Sequence, residues 1–386
     1  MSEAAEFHDT CFQTTDGDIA VINLESARLR SWSRFYQDPM REGIAETVVE
    51  HEQLSAQFAG DLTALDRLEF LAKQLSQTDA ASARTALIQA QVASMKHRFA
   101  EARHHLEQAE IRGAQEAEVN RLRLSLDQAC GTNLDRVLDE RRETVRRSGG
   151  IEDQVALAGL LADLREFSDA DRTYGQALRN YRDVSPFPVA WVCFQLGVLW
   201  GELVPEPQTN RASQWYERAL ERLPGYTKAR VHLAEIYSSS GRAADAESVL
   251  IPALSSGDPE VLWRLADAMA IQGKTADAEA QMQAARSEFN SLLERHPLAF
   301  ADHGAEFYAG SGNDFRRALE LALVNVTNRP TLRALEQAHE IAVSAGDSNA
   351  AVSLLGKAIE RWGDTAGFKS SPLAARRLAS EEGAAA

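Results

Sequence analysis

The sequence predicts an all-α fold, an α-solenoid of about nine helical hairpins. Two observations support this prediction. A unit of two short amphipathic helices occurs at residues 229–259, and its landmarks recur along the chain every 34 residues or so. The chain has 386 residues, 44% of them hydrophobic, which is enough to bury a core but long for one compact domain. A stack of repeated units, each covering its neighbours, accommodates this length.

The unit at residues 229–259 is predicted to be two helices joined by a tight turn. Leu233, Ala234 and Tyr237 fall on one face of the first helix. Gly241 interrupts this pattern, and Pro259 stops the second helix. The second helix has its own apolar face, made of Ala246, Val249, Leu250 and Ala253. One such hairpin cannot cover both apolar faces alone, so it requires neighbours of the same kind.

A small residue opens the second helix of every predicted hairpin but one. These nine positions are Ala64, Ala102, Arg136, Ala170, Ala212, Ala246, Ala278, Ala318 and Ala351. Alanine recurs seven positions later in most units, where a small side chain lets neighbouring helices approach closely. The hairpin of Arg136 is either degenerate or shifted in register. Gly149 and Gly150 follow it, and we expect a flexible joint at residues 148–151.

The unit resembles a tetratricopeptide repeat, whose pattern is W-x2-L-G-x2-Y, then A-x3-F, then a late Pro. The corresponding residues are Arg230, Leu233, Ala234, Tyr237, Ala246, Leu250 and Pro259. The resemblance covers residues 44–365. It implies a right-handed superhelix whose first helices line a concave groove. It also implies that each hairpin contacts only its neighbours, so we expect unfolding to be only partly cooperative.

Two regions lie outside the predicted array. Residues 1–43 are predicted to be an arm or a cap, in which residues 19–22 favour a short strand or extended segment and residues 27–36 favour a helix. This region either covers the end of the stack or docks on a partner. Residues 366–386 are predicted to be a capping-helix remnant followed by a disordered tail.

The composition is acidic, with 57 Asp and Glu against 41 Lys and Arg and a net charge of −16. This disfavours nucleic-acid binding and favours basic or neutral partners. The three cysteines are far apart in the sequence, which suggests a reducing compartment rather than a disulfide framework. The sequence has no secretory leader and no segment that is apolar enough to cross a bilayer. We therefore expect a cytoplasmic protein without membrane contact.

The sequence contains no motif typical of an enzyme active site. Walker A, GxGxxG, HExxH, GxSxG and CxxC patterns are all missing from it. We therefore expect a protein that is not an enzyme and that uses no cofactor or metal.

The resemblance also implies which residues face the groove, namely those at the second, fifth, ninth and twelfth places of each repeat. They make the middle of the groove apolar and place seven carboxylates in its C-terminal half, opposed by Lys228 and Arg333. The candidate partner-binding residues are Trp191, Phe194, Glu235, Glu260, Trp263, Asp267, Asp302, Glu306, Glu336 and Glu340. Carboxylates along one wall favour a cationic ligand, and the aromatic residues are expected to act as anchors.

Two functions remain open from the sequence. The first is a scaffold or adaptor that binds a partner protein or peptide, with basic residues, in the concave groove. The second is an accessory or assembly subunit of an enzyme complex that docks through its N-terminal arm, residues 7–36. Self-association is compatible with both.

Overall fold

The computed structural model describes residues 13–377, which are helical apart from short connections. The helices are α1 Gly17–Gln37, α2 Ile44–Leu54, α3 Ala64–Thr78, α4 Ala83–Met95, α5 Phe99–Ile111, α6 Glu116–Cys130, α7 Leu134–Ser148, α8 Ile151–Asp163, α9 Phe167–Asn180, α10 Pro186–Val198, α11 Thr209–Arg222, α12 Thr227–Ser239, α13 Ala243–Leu250, α14 Pro259–Ile271, α15 Thr275–Arg295, α16 Pro297–Ala309, α17 Phe315–Asn328, α18 Leu332–Ser344, α19 Ser348–Trp362 and α20 Ala366–Lys369. Two π-helical turns, Ser55–Ala59 and Leu199–Leu203, extend α2 and α10. No strand occurs within residues 13–377, so the predicted all-α fold is confirmed.

Helices α2 to α19 form nine hairpins, each made of two consecutive helices. Every residue predicted to open a second helix lies within the first four residues of one. The eight alanines in this set are buried, and so are the alanines seven positions further along. Small buried side chains allow the two helices of a hairpin to pack closely. The predicted number of hairpins is therefore confirmed.

The third hairpin, α6 with α7, is shifted in register by one residue. Val137 is the fourth residue of α7 and is fully buried, which is the place that alanine takes in most other hairpins. Arg136 instead points to solvent and pairs with Glu140 at 3.0 Å. A left-handed Gly149, with φ of 62°, then ends the helix. The flexible joint expected at residues 148–151 stays a prediction.

Hairpins far apart in the sequence contact one another, because the array winds back onto itself. Asn328 in the eighth hairpin donates a hydrogen bond to the carbonyl of His97 in the second, at 2.9 Å. Arg361 in the ninth donates to the carbonyl of Gly131 in the third, also at 2.9 Å. The expectation that each hairpin contacts only its neighbours was therefore wrong. Contacts between successive turns should make unfolding more cooperative than in an open array.

Helix α1 lies against the array and includes the residues for which a strand or extended arm was expected. That expectation was wrong for residues 19–22, because Asp16 caps the helix by accepting hydrogen bonds from the amides of Asp18 and Ile19. The indole of Trp32 donates to Glu52 at 2.5 Å. Glu52 is fully buried and also pairs with an arginine from α1 and one from α3, Arg28 and Arg67.

The C-terminal end of the described chain packs on the ninth hairpin. Phe368 of α20 is buried in the same core cluster as Trp362, and residues 372–377 are again helical. Residues 1–12 and 378–386 lie outside the described residues. The predictions for the start of the arm and for a disordered tail therefore concern residues that the structure does not describe.

Candidate functional site

A set of charged side chains from hairpins five to nine meets on the inner face of the array. We call this set the inner ladder. Its members come from the first helices α12, α14, α16 and α18, from the π-helical turn after α10, and from the connection after α17. They are Glu202, His232, Glu235, Glu260, Arg264, Asp302, His303, Glu306, Arg329 and Arg333.

The first rung of the ladder is centred on Glu202, which lies in the π-helical turn. His232 Nδ1 approaches Glu202 Oε1 at 2.7 Å, and Arg333 Nη2 lies 3.1 Å from the other carboxylate oxygen. Burial acts against ionisation, but the charges of His232 and Arg333 outweigh it and lower the pKa of Glu202 to about 2. Burial likewise opposes protonation of His232, and Glu202 overcomes it and raises the pKa of the imidazole.

The second rung is Arg264, which makes ion pairs with two carboxylates. Its Nη2 lies 3.2 Å from Glu235 Oε1 and 2.9 Å from Glu306 Oε1. The guanidinium also lies over the indole of Trp263, with Cζ 3.7 Å from the ring centroid. Burial raises the pKa of Glu235, against the opposing charge of Arg264. One arginine therefore neutralises much of the charge that the sequence placed on this wall.

The third rung joins Glu260, His303, Asp302 and Arg329. His303 Nδ1 lies 2.6 Å from Glu260 Oε1, and Asp302 pairs with Arg329. The charge of Asp302, helped by Glu260, raises the pKa of His303 to about 10 against the effect of burial. The imidazole is therefore a cation at neutral pH. Burial opposes ionisation of Asp302, but His303 and Arg329 lower its pKa.

Two further candidate carboxylates are also engaged within the chain. Glu336 pairs with Arg165, from the turn between α8 and α9, and accepts a hydrogen bond from Ser371 Oγ at 2.6 Å. Asp267 accepts a hydrogen bond from Ser311 Oγ at 2.7 Å. Glu336 thus joins the ninth hairpin to the fourth rather than facing an empty groove.

The aromatic candidates do not form an accessible wall. Phe194 is 7% exposed and Trp263 only 2% exposed, while Trp191 is half-buried against the core of the middle hairpins. The expectation that Phe194 and Trp263 are accessible anchors was wrong for a systematic reason. Fifth positions of the repeat also include Val155 and Val231, and both of these residues are buried. In four first helices, therefore, the fifth position packs into the core.

The residues that sequence reasoning missed are mainly cations. His232, Arg264 and His303 lie one place after the fifth position in three first helices that follow one another in space. Arg165 and Arg329 come from turns and helix ends, which the groove positions of the repeat do not include. A histidine or arginine directly after the fifth position in these three helices was the one signal in the sequence that pointed to this row.

Glu340 differs from the other six candidate carboxylates. It is exposed, and its carboxylate makes neither an ion pair nor a hydrogen bond with any other described residue. It lines a cavity of about 310 Å³ together with Trp263, Arg264, Glu306, Phe315 and Ile341. The cavity therefore combines apolar walls with two carboxylates and one guanidinium.

Within residues 13–377, no three His, Cys, Asp or Glu side chains are arranged to hold a metal ion. No helix in that range combines the length and the apolar composition that a bilayer crossing requires.

No protein-family model and no curated protein matches the sequence. The nine hairpins, with their buried small residues at the repeat positions, decide the architecture. The chain is a tetratricopeptide-like α-solenoid.

Three solved structures are similar to this chain. One is the APC/C hetero-tetramer Cut9–Hcn1, with 15% identity, a TM-score of 0.43, and coverage of 89% of this chain and 64% of that chain. The yeast Tom70 matches at 12% identity and a TM-score of 0.36, with coverage of 93% and 97%. PilW, a type IV pilus biogenesis factor, matches at 14% identity and a TM-score of 0.31, with coverage of 57% and 97%. At these identities the likeness concerns the fold alone.

Proposed function

We propose that the protein is a non-catalytic interaction scaffold, or adaptor, that binds a peptide segment of a partner protein at the inner face of its last three hairpins. One observation carries the proposal. A cavity of about 310 Å³ lies between α14, α16 and α18, and the exposed carboxylate Glu340 on its wall has no partner among the described residues. An unpaired carboxylate beside apolar surface is suited to a cationic side chain with an apolar neighbour.

The charges around the cavity define the ligand more narrowly than the acidic composition does. Arg264 is shared between Glu235 and Glu306, so the wall has only a small excess of negative charge. One lysine or arginine of the partner would lie between Glu306 and Glu340. A neighbouring apolar side chain would contact Phe315 and Ile341, which also line the cavity. The proposed ligand is therefore a segment with a single basic residue rather than a polybasic tail.

Two observations support a non-catalytic role and a reducing compartment. The carboxylates and histidines of the inner ladder are paired with one another, which leaves few of them available as a general base. Cys130 and Cys193 are buried and free, which supports a reducing compartment such as the cytoplasm.

The second function, docking of an accessory subunit through the N-terminal arm, is supported by a different surface. Trp32 and Phe35 fix α1 on the first hairpin, so residues 17–37 do not project as an arm. The opposite side of α1 is nevertheless apolar and exposed at Ile22 and Leu29. An enzyme that docks here would contact this side of α1 and leave the cavity empty.

A photoreactive amino acid placed at Phe315 tests the proposal in cells of the source organism. Phe315 lines the cavity and is partly exposed, whereas Ile111 on α5 is 76% exposed and does not line it, so Ile111 serves as the matched control. We expect capture from position 315 of a partner segment that contains a lysine or arginine, and no such capture from position 111. Equal capture at both positions would contradict the proposal. Capture of an enzyme subunit from position 29, with none from 315, would favour the docking function.

A further inference from the structure

The outward side of α1 carries a regular apolar stripe. Ile19, Ile22, Leu29 and Tyr36 are each more than half exposed. With Ser26 and Ser33 they follow alternating steps of three and four residues, which is the spacing of the two core positions of a heptad repeat. The 21 residues of α1 make a helix roughly 30 Å long, which accommodates three heptads.

Most of the stripe lies away from the packed side of α1, and only Tyr36 at its end contacts neighbouring rings, those of Trp32 and Phe70. The buried side of α1, which includes Leu24, Trp32 and Phe35, lies on the other side of the helix. Sixteen large apolar side chains are exposed in residues 13–377, and six of them lie on or beside α1. These six are the four large residues of the stripe together with Met40 and Phe70. Such a concentration is typical of an interaction surface, whereas single exposed apolar residues are ordinary.

The charges beside the stripe identify its occupant. Glu25 lies on one flank, where it also pairs with Arg28 of the same helix at 2.7 Å, and Arg30 lies on the other flank. These are the heptad positions that decide which helices pair and in which direction. Arg30 is exposed and makes no ion pair with another described residue. In a parallel pair of α1 helices, Glu25 of each copy faces Arg30 of the other. In an antiparallel pair the same flank of each helix would lie opposite itself, so Glu25 would approach Glu25 and Arg30 would approach Arg30, which is a repulsive arrangement.

We propose that two copies of this chain associate through their α1 helices as a parallel, two-stranded coiled coil. Ile19, Ile22, Leu29 and Tyr36 form its apolar seam, and the small Ser26 and Ser33 allow the two helices to approach closely. The two solenoids lie on opposite sides of the pair. The stripe shares no residue with the inner cavity, so dimerisation and peptide binding are compatible, and this proposal does not depend on the proposed function.

Sedimentation equilibrium of the full chain is the first test. The parent should be a dimer at micromolar concentration, and Leu29→Glu should raise the dissociation constant on the order of 100-fold, as expected for a central interface residue. Ile111→Glu introduces the same change at another exposed apolar site and should leave the dimer unchanged. A parent that stays monomeric, or a dimer that survives Leu29→Glu, overturns the proposal.

Charge and crosslinking variants test the direction of the pair. Arg30→Glu should weaken the dimer, and Glu25→Arg together with Arg30→Glu should restore it. Ser33→Cys, in a Cys11→Ser background, should form a disulfide between two copies, because equivalent positions meet only in a parallel pair. Ser353→Cys, at an exposed serine on α19, is the control and should remain reduced. Failure of Ser33→Cys to form the disulfide overturns the proposal. A photoreactive amino acid at position 29 that crosslinks to residues 1–12 of the same chain also overturns it, because that segment would then cover the stripe.

Discussion

The inner ladder and the outer side of α1 differ in what the fold leaves unsatisfied. The ladder is dense in charge, yet Glu202, Glu260 and Asp302 are each paired with a histidine or arginine of the same chain. The stripe on α1 has little charge, yet its large side chains, such as Ile22 and Leu29, face solvent. An acidic wall is thus a weak indicator of binding when its partners are internal. The groups that the fold leaves without a partner are the better indicator.

The two sides of α1 should differ most in their effect on stability. Trp32→Ala removes a buried indole that contacts Phe35 and donates a hydrogen bond to the buried Glu52. We expect it to lower the free energy of unfolding by about 4 kcal/mol, in the range for removal of a large buried aromatic side chain. Urea denaturation measures this loss. A loss below about 1 kcal/mol would mean that α1 is not part of the cooperative unit.

Arg264→Met should be the next largest change, because it leaves Glu235 and Glu306 without their shared cation. Arg264 itself is mostly buried while both carboxylates are half-exposed, so we expect a loss of about 2 kcal/mol, below the range for a fully buried pair. Arg121→Met is the matched control, since Arg121 is exposed on α6 and makes no ion pair with another described residue, and it should cost at most about 0.5 kcal/mol. Equal losses for the two variants would show that the ladder does not stabilise the fold.

His303→Gln should change how stability depends on pH. The pKa of His303 is raised from its ordinary value of 6.5 to about 10 in the folded chain. Its contribution is therefore fully present below pH 6.5 and is lost as the pH rises towards 10. The side chain is 42% exposed, so we expect only about 1 kcal/mol. Urea denaturation at several pH values should show this loss in the parent and not in the variant. Parallel curves would contradict the assignment.

Leu29→Ala should have the smallest effect. Because Leu29 is more than half exposed on the stripe, we expect a change of at most about 0.5 kcal/mol in the free energy of unfolding of the monomer. The measurement is urea denaturation at concentrations where sedimentation shows no dimer. A loss comparable to that of Trp32→Ala would mean that the stripe belongs to the core.

The fold was largely predictable because close helix packing imposes small residues at fixed places. Ala170, Ala212 and Ala246 follow from this rule and are fully buried. The rule failed by one residue at Arg136, where Val137 takes the buried place. It did not extend to α1. The β-branched side chains among residues 19–22 favoured a strand there, but the segment is helical and begins at the Asp16 cap.

The site was less predictable because its pairings join distant parts of the chain. Glu336 pairs with Arg165, which lies 171 positions earlier, and Arg333 pairs with Glu202 across 131 positions. Neither contact follows from the repeat pattern, since both depend on how the array winds back onto itself. Trp263 was misjudged for a local reason, because its fifth position faces the core while Arg264 beside it covers the ring.

The central claim is that the unpaired Glu340, rather than overall acidity, selects the partner. The most direct test compares the association rate of the crosslinked partner peptide with the parent, Glu340→Gln and Glu288→Gln, at low and high salt. Each variant removes one negative charge, and Glu288 lies exposed on α15 without an ion pair to any described residue. We predict that Glu340→Gln slows association and flattens its salt dependence, while Glu288→Gln matches the parent. Equal slowing by both variants would contradict the account, because it would assign the effect to net charge alone.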